Sequence, residues 1–286
     1  SFMCEESSRF GAATLGSKAM RGELTAKDLH RLVDKEGISL YEALQTRNLD
    51  PDVIEQMEYK KPVKAFIEMH IEQGKVLEHE KKKIGVVTGI AAPERFYVTV
   101  RGHADHSGAT PMNLRHDALC GAAKIILGIE EITSMQEEPP VVGTVGVVDI
   151  SPGAMNVIPG AVKLGVDIRS MSKVARDSVV TLVKEYIDVI AGKRGLTYTI
   201  EPIAQDRPVS MHPAMIAQIK EAVQSLGIEY MCMPSGAGHD AMHWAEDVPT
   251  GMIFIPCRDG ISHNPAEFAE MDDIVIGAKV LDSVLR

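Results

Sequence analysis

This sequence has little cysteine and no long basic or apolar run, and each shortage narrows what the protein can be. The four cysteines, Cys4, Cys120, Cys232 and Cys257, lie far apart in 286 residues, form no Cys-x-x-Cys pair and suggest no disulfide framework. A reducing cytoplasm fits that usage. The one short basic run, Lys81-Lys82-Lys83, sits beside Glu78 and Glu80 and reads as a solvated turn. Together with a formal net charge of -10 it argues against a nucleic-acid or anionic-membrane surface. No apolar stretch approaches the length of a membrane span, no signal-peptide pattern opens these residues, and no internal repeat or low-complexity segment is present. What is there, 45% hydrophobic and 24% charged residues, is the composition of a globular chain large enough for one large or two medium domains.

The most informative stretch is Phe66-Ile67-Glu68-Met69-His70-Ile71-Glu72-Gln73-Gly74. Ala65, Ile67, Met69 and Ile71 alternate with Phe66, Glu68, His70 and Glu72, a period of two that predicts a strand with one core face and one largely polar face. A histidine between two glutamates at the end of such a strand, before a Gln-Gly stop, is placed where open α/β sheets present ligands to a crevice. A solvated face with a chance histidine remains the alternative, and partners elsewhere in the chain must decide.

From Thr25 to Leu44 the pattern is helical, with a capped start at Thr25, a break at Lys35-Glu36-Gly37 and a second N-cap at Ser39. Residues 91–206 read as a separate unit. Strands over Arg95–Arg101, Val141–Ile150, Val162–Arg169 and Leu196–Glu201 alternate with helices over Asp117–Met135 and Lys173–Ala191, and a Pro159-Gly160 turn joins the middle strands. The order β-α-β-β-α-β is that of ferredoxin-like α+β domains. A helix over Pro213–Leu226, a short buried strand over Thr250–Pro256 and a closing helix over Asp272–Leu285 resume an α/β pattern. The expected fold is an α/β domain, residues 1–90 and 207–286, interrupted by the insert.

Four clusters can carry chemistry. In Glu5-Glu6 the two carboxylates of an extended segment point to opposite sides, so one can face a reactant while the other holds a metal; an N-cap or surface pair is the plainer reading. The loop Gly102-His103-Ala104-Asp105-His106-Ser107-Gly108 follows directly on a strand and brings histidine close to a ligand, unless the two histidines only bond within the turn. Asn156 and Arg169 can clamp a carboxylate, against the alternative of an Arg169–Asp167 surface pair. The last cluster joins Pro234-Ser235-Gly236-Ala237-Gly238-His239-Asp240 to Asp259-Gly260-Ile261-Ser262-His263, two glycine-flanked histidines of the kind found in active-site loops.

Taken together and in order, Glu5-Glu6-x-x-Arg-Phe-Gly, His70-Ile-Glu-Gln-Gly, Val87-Thr-Gly-Ile, His106-Ser-Gly-Ala-Thr-Pro-Met, Asn156-Val-Ile-Pro, Asp167-Ile-Arg, Pro234-Ser-Gly-Ala-Gly-His-Asp and Gly260-Ile-Ser-His-x-Pro-Ala-Glu resemble the hydantoinase/carbamoylase family of amidases. That family includes N-carbamoyl-L-amino acid hydrolases, allantoate amidohydrolases and β-ureidopropionases within the dinuclear-zinc aminoacylase and carboxypeptidase superfamily. The resemblance covers essentially the whole chain. It implies a catalytic α/β domain with two divalent metals, zinc or else manganese, cobalt or nickel, and an inserted lid that forms a homodimer. By the same resemblance Glu5 is the general base, Glu6 and His263 are ligands of one metal, and His70 is a ligand of the other. His106 stabilises the tetrahedral oxyanion, Asn156 and Arg169 hold the substrate carboxylate, and Gln73, Gly236 and His239 contact substrate.

The family's other metal ligands, a histidine in a His-x-Asp motif and a bridging aspartate, lie upstream of the Glu-Glu pair, and Ser7 stands where a glycine is common. The chain is therefore expected to begin inside the catalytic domain and to hold only Glu6, His70 and His263 of the metal shell. The expected activity is hydrolysis of the carbamoyl C–N bond of an N-carbamoyl-L-amino acid or related ureido acid such as allantoate or ureidopropionate. The rivals are a catalytically incompetent lid and dimerisation module and a cysteine hydrolase using Cys4 or Cys257.

Overall fold

A computed structural model describes residues 5–6 and 9–286. Cys4 and the departure at Ser7 lie outside the described residues. In chain order the elements are α1 (Leu15–Met20), α2 (Ala26–Arg31), α3 (Leu40–Gln45), β1 (Phe66–Ile71), α4 (Val76–His79), β2 (Ile84–Ile90), β3 (Ala92–Arg101), α5 (Ala118–Ser134), β4 (Val141–Ser151), β5 (Ala161–Ser170), α6 (Lys173–Arg194), β6 (Thr197–Gln205), β7 (Val209–Ser210), α7 (Pro213–Ser225), β8 (Tyr230–Ser235), β9 (Thr250–Ile255) and α8 (Met271–Leu285). Short 3-10 turns punctuate them, among them Asp240–His243. The chain divides into two compact units, residues 1–90 with 209–286, and residues 91–208.

The first unit is built on a mixed sheet of order β1-β9-β2-β7, with β8 pairing β2. The pair β1–β9 is parallel and places His70 opposite Phe254. β9 is buried along its whole length and β2 nearly so, which is why both read as continuous apolar runs rather than alternations. β1 alternates as its sequence requires. Ile67, Met69 and Ile71 pack into a core with Met215, Ile219 and Val223 of α7 and Val280 and Val284 of α8. α8 lies so close to this face that a β-carbon on Gly277 would stand 2.6 Å from Met69 Sδ, so the position admits only glycine. On the opposite face Phe66 stacks on Trp244 with ring centroids 5.4 Å apart. The helices of residues 15–57 bury a smaller cluster, Leu15, Leu24, Leu29, Leu40 and Ile54. Thr25 and Ser39 form capping boxes with Asp28 and Glu42, at the two N-caps their sequence indicates.

The second unit has the β-α-β-β-α-β order and an antiparallel sheet β4-β5-β3-β6. Alternate residues of β3 and β5 (Phe96, Val98, Val100; Val162, Leu164, Val166, Ile168) pack against α5 and α6, and the intervening residues form the sheet's other face. Pro159-Gly160 is not a tight turn: it ends a longer connection, residues 152–160, between β4 and β5. A β-carbon on Gly160 would stand 2.9 Å from that of Ala104, so the glycine lets this connection lie against the loop after β3. Arg176 of α6 is fully buried and donates to the carbonyls of Ala92 (3.1 Å) and Asp206 (2.7 Å), at the two ends of the unit. The guanidinium thus ties the start of β3 to the residue that follows β6. No helix among the described residues is long and apolar enough to cross a membrane.

Candidate metal and catalytic site

The alternation of β1 puts Glu68 and His70 on the face away from α7 and α8. His70 Nδ1 lies 2.8 Å from the carbonyl of Ile71 and donates to it, so in the neutral ring the lone pair is on Nε2. Glu68 Oε2 accepts the backbone N–H of Ala241 at 2.7 Å, which ties the 3-10 turn 240–243 down onto this face. His239, the residue before that turn, is buried with its ring 4.6 Å from that of His70 and 5.6 Å from that of Phe254. Its tautomer follows from proton counting. Ser235 Oγ gives its single proton to the carbonyl of Ala237 (2.9 Å), so it must accept from His239 Nε2 (2.8 Å). The lone pair of His239 is then on Nδ1, a buried atom with no hydrogen-bond partner.

Glu5 closes this group. Its Oε2 stands 3.4 Å from His70 Nε2 and its Oε1 stands 3.5 Å from His239 Nδ1, too far for a good hydrogen bond. Donor atoms of Glu5, His70 and His239 all lie within 4.8 Å of one another. A carboxylate facing two imidazole lone pairs, one of them buried and unpartnered, is repulsive unless a cation or proton sits between them. The donor set therefore fits a divalent metal of the imidazole-and-carboxylate-binding kind. With no cation the groups share a proton. Burial raises the Glu5 carboxyl, but its contacts with His239 and His70 outweigh that and bring it to about 2. Burial lowers His70, but Glu5 and the Ile71 carbonyl overrule it and raise it to about 9, whereas His239 is pushed down, mainly by burial.

A second pair lies next in sequence. Glu6 Oε1 accepts from Gln73 Nε2 at 2.7 Å, and Glu6 Oε2 is 3.1 Å from His263 Nε2. Gln73 and His263 are both held in the left-handed region, at φ 58° and 54°, and so is Thr14 (φ 58°), whose backbone N–H binds the Glu5 carbonyl at 2.8 Å. Such conformations cost of order 1–3 kcal/mol each in non-glycine residues and collect where a side chain must be aimed. Here they aim the donors of both pairs. Glu72 is a structural group, since its carboxylate caps the backbone N–H groups of Val76 and Leu77 at the start of α4. Cys257 is buried and its thiol is raised by that burial, which does not favour a nucleophilic thiolate.

In the second unit, His106 Nδ1 accepts the backbone N–H groups of Gly108 (3.1 Å) and Ala109 (3.2 Å). The proton of the neutral ring is therefore on Nε2, which makes the exposed edge of His106 a hydrogen-bond donor. Arg115 holds this turn by donating to the carbonyls of Ser107 (2.5 Å) and Thr110 (3.1 Å). The carbonyl of Asn156 accepts from Ser107 N at 3.0 Å, and His106 forms a bridge with Val157, so the loops bearing His106 and Asn156 are one structure. Arg169 donates from Nε and Nη2 to both oxygens of Asp167, at 2.8 and 2.9 Å.

The sequence of residues 1–286 matches the model of peptidase family M20/M25/M40. The chain belongs to that family, and with it to the hydrolases. Similar proteins include an uncharacterised hydrolase of Haemophilus influenzae, 50% identical over 99% of this chain and 69% of that protein. The N-carbamoyl-L-amino-acid amidohydrolase of a Pseudomonas species is 41% identical over 100% of this chain and 70% of its own length. Relatives at 38% and 34% identity carry the names ureidoglycolate hydrolase, in rice, and allantoate amidohydrolase, in Escherichia coli. Among solved structures, a hydantoinase/carbamoylase family amidase from Burkholderia multivorans superposes with a TM-score of 0.89 at 34% identity, covering 99% of this chain and 68% of that one. The family resemblance and the mixed α/β fold with two sheets are thus as the sequence indicated.

Within the first unit the structure gathers Glu5, His70 and His239 in one group and Glu6, Gln73 and His263 in another. The sequence reading set His239 apart from the metal shell, and it did not single out Glu68, Ser235 or Thr14. The contact that sets the His239 ring is with the Ser235 hydroxyl, a hydrogen bond that only the structure shows.

Proposed function

We propose that the protein is a metal-dependent amidohydrolase that cleaves the carbamoyl C–N bond of N-carbamoyl-L-amino acids. The observation that carries this reading is the carboxylate of Glu5 set between the lone-pair nitrogens of His70 and His239 beside the Glu6–His263 pair, in a chain whose relatives are named amidohydrolases. Glu5, His70 and His239, and next to them Glu6 and His263, would hold zinc, manganese or a similar divalent cation. Bound there, such cations polarise the carbamoyl oxygen and lower the pKa of water to near neutrality.

The chain's own residues do the rest. Glu5 takes the proton of the attacking water and returns it to the departing nitrogen. Its low pKa rests on its contacts with the His239 and His70 rings, the second of which carries the proton, and once that ring is neutral the carboxylate is no longer held there. His106, whose Nε2–H is fixed as a donor, stabilises the oxyanion; Asn156 and Arg169 hold the substrate carboxylate; Gln73 and Gly236 position the ureido group. Residues 91–208 act as the lid and as the dimer-forming unit. The names of two relatives keep allantoate and ureidoglycolate as rival substrates.

The test is ammonia release from N-carbamoyl-L-amino acids and from allantoate, after dialysis against a chelator and again after zinc or manganese is restored. Release that is lost with the metal and recovered with it supports the proposal. Metal-replete protein that hydrolyses neither class, or release that is indifferent to the chelator, overturns it.

A further inference from the structure

Linked to the Glu5–His70–His239 group is a chain of three side chains, Glu23, His243 and Thr14, that takes no part in the steps above. His243 Nδ1 is 2.8 Å from Glu23 Oε2, and its Nε2 is 2.8 Å from Thr14 Oγ1. The imidazole is only 10% exposed and Thr14 only 3%. Carboxylate, imidazole and hydroxyl in that order are the parts of a nucleophilic triad. This hydroxyl is no nucleophile, because it is buried and has the carbonyl of Ala13 at 2.7 Å to take its proton. With a neutral ring, Nδ1–H donates to Glu23 and the hydroxyl donates to Nε2. With a charged ring, Nε2–H donates to the hydroxyl, which turns its proton to Ala13. The heavy atoms keep their places in both patterns, so Thr14 is held at either proton count.

Backbone geometry gives that hold its purpose. Thr14 is a β-branched residue at φ 58° and ψ 33°, a conformation that its β-carbon opposes and that glycine adopts freely. In that conformation its N–H donates to the Glu5 carbonyl at 2.8 Å. Thr14 is also the N-cap of α1, yet its side chain makes no capping bond and is spent on His243 instead. A second tie runs from α1 to the same turn, where Ser17 Oγ donates to Asp240 Oδ1 at 2.5 Å and both residues are buried. The 3-10 turn Asp240–His243 thus follows His239 of the metal group and ends on the histidine that grips Thr14. Glu5 and His239, far apart in sequence, are set against each other through this one turn.

We propose that His243 is a positioning residue: it clamps Thr14 in the left-handed region so that the Thr14 N–H holds Glu5 opposite His239, with the metal donors preformed. Its action runs through Thr14. The inference rests on the reading of Glu5 and His239 as donors to a cation, and it adds what keeps them in register.

Amide hydrogen exchange at residue 14, followed by NMR on chelator-treated protein, reads the bond to Glu5 directly, and calorimetric titration with zinc reads its consequence. His243→Ala should speed exchange of that amide about tenfold or more and weaken zinc binding about ten- to hundredfold, the range for loss of an outer-shell partner. Thr14→Ala, which keeps the β-carbon and loses the hydroxyl, should do the same. Glycine needs no clamp at this φ, so Thr14→Gly, alone or combined with His243→Ala, should bind zinc within about threefold of the parent. Should His243→Ala fail to fold, as a melting curve would show, Thr14→Ala against Thr14→Gly carries the same decision. An amide that stays protected in His243→Ala overturns the inference, as does zinc binding in the double variant as weak as in His243→Ala. A lower melting temperature with both readouts unchanged overturns it too and makes His243 a merely structural residue. A parent that binds no zinc while the amide shows the expected pattern would sink the metal reading and leave the clamp standing.

Discussion

Oε2 of Glu5 stands 3.4 Å from Nε2 of His70, at the end of a strand that brings the histidine to the polar face of its sheet. If Glu5 moves the proton, Glu5→Gln keeps the shape and removes the base. We expect kcat to fall by about 10²–10⁴-fold, with thermal stability close to that of the parent. Steady-state kinetics and a melting curve on the same preparation check both halves, and a kcat within tenfold of the parent would exclude the role.

His106 acts at a different stage. Its Nδ1 is committed to Gly108 and Ala109, and only Nε2 is available to donate. Replacement by alanine should lower kcat by about 10²–10³-fold and leave KM within a few-fold, as for the loss of one oxyanion donor. A change confined to KM would make His106 a substrate-binding residue instead.

Arg169 is expected to show the opposite pattern. Alanine at this position should raise KM for carboxylate substrates about tenfold or more, with the smaller effect on kcat. The Asp167 carboxylate, which Arg169 and Arg95 hold below its usual range against the opposing effect of burial, would keep Arg95 as its partner. An unchanged KM would refute the clamp and leave Arg169 as the ion-pair partner of Asp167 alone.

Glu68 sets a pH dependence of stability in the metal-free protein. Burial is the largest cause of its shift and, against the Ala241 N–H bond, pushes it up to about 7. An unfolded glutamate titrates near 4.3, so between about pH 4.3 and 7 the folded chain holds a proton that the unfolded chain has released. Stability must therefore fall as pH rises through that window, by roughly 4 kcal/mol at most, and stay level above it. Glu68→Gln should remove this slope, being more stable than the parent at pH 8 and about equal to it at pH 5. Urea unfolding at the two pH values gives the answer. A variant less stable at pH 8 would mean that the carboxylate is ionised and needed.

Much of this architecture was legible because local patterns matched their period. The alternation in Phe66–Ile71 is the two-faced strand it reads as, and Thr25, Ser39 and Asp117 cap the helices they precede. β2 and β8 were not anticipated. β2 is buried on both faces and so carries no alternation to read, while β8 contains Pro234 and is exposed at alternate positions. In the site, the residue types were readable and their grouping was not. That His239 should turn its lone pair toward Glu5 depends on one hydroxyl proton of Ser235, a matter of three-dimensional hydrogen bonding with no trace in spacing.

The ladder of the first unit pairs Ile90 with Val209, the last residue before the insert and the first after it. Adjacent strands lie roughly 5 Å apart, so the two cut ends that would remain on deleting residues 91–208 are already neighbours. A two-residue Asn-Gly link could close them as a hairpin. At the other edge of that excision, the Arg176 guanidinium binds the carbonyls of Ala92 and Asp206 and so keeps the ends of the excised piece together as well. The chain is thus divisible at two points into a continuous cassette and a discontinuous host, each with its own apolar core.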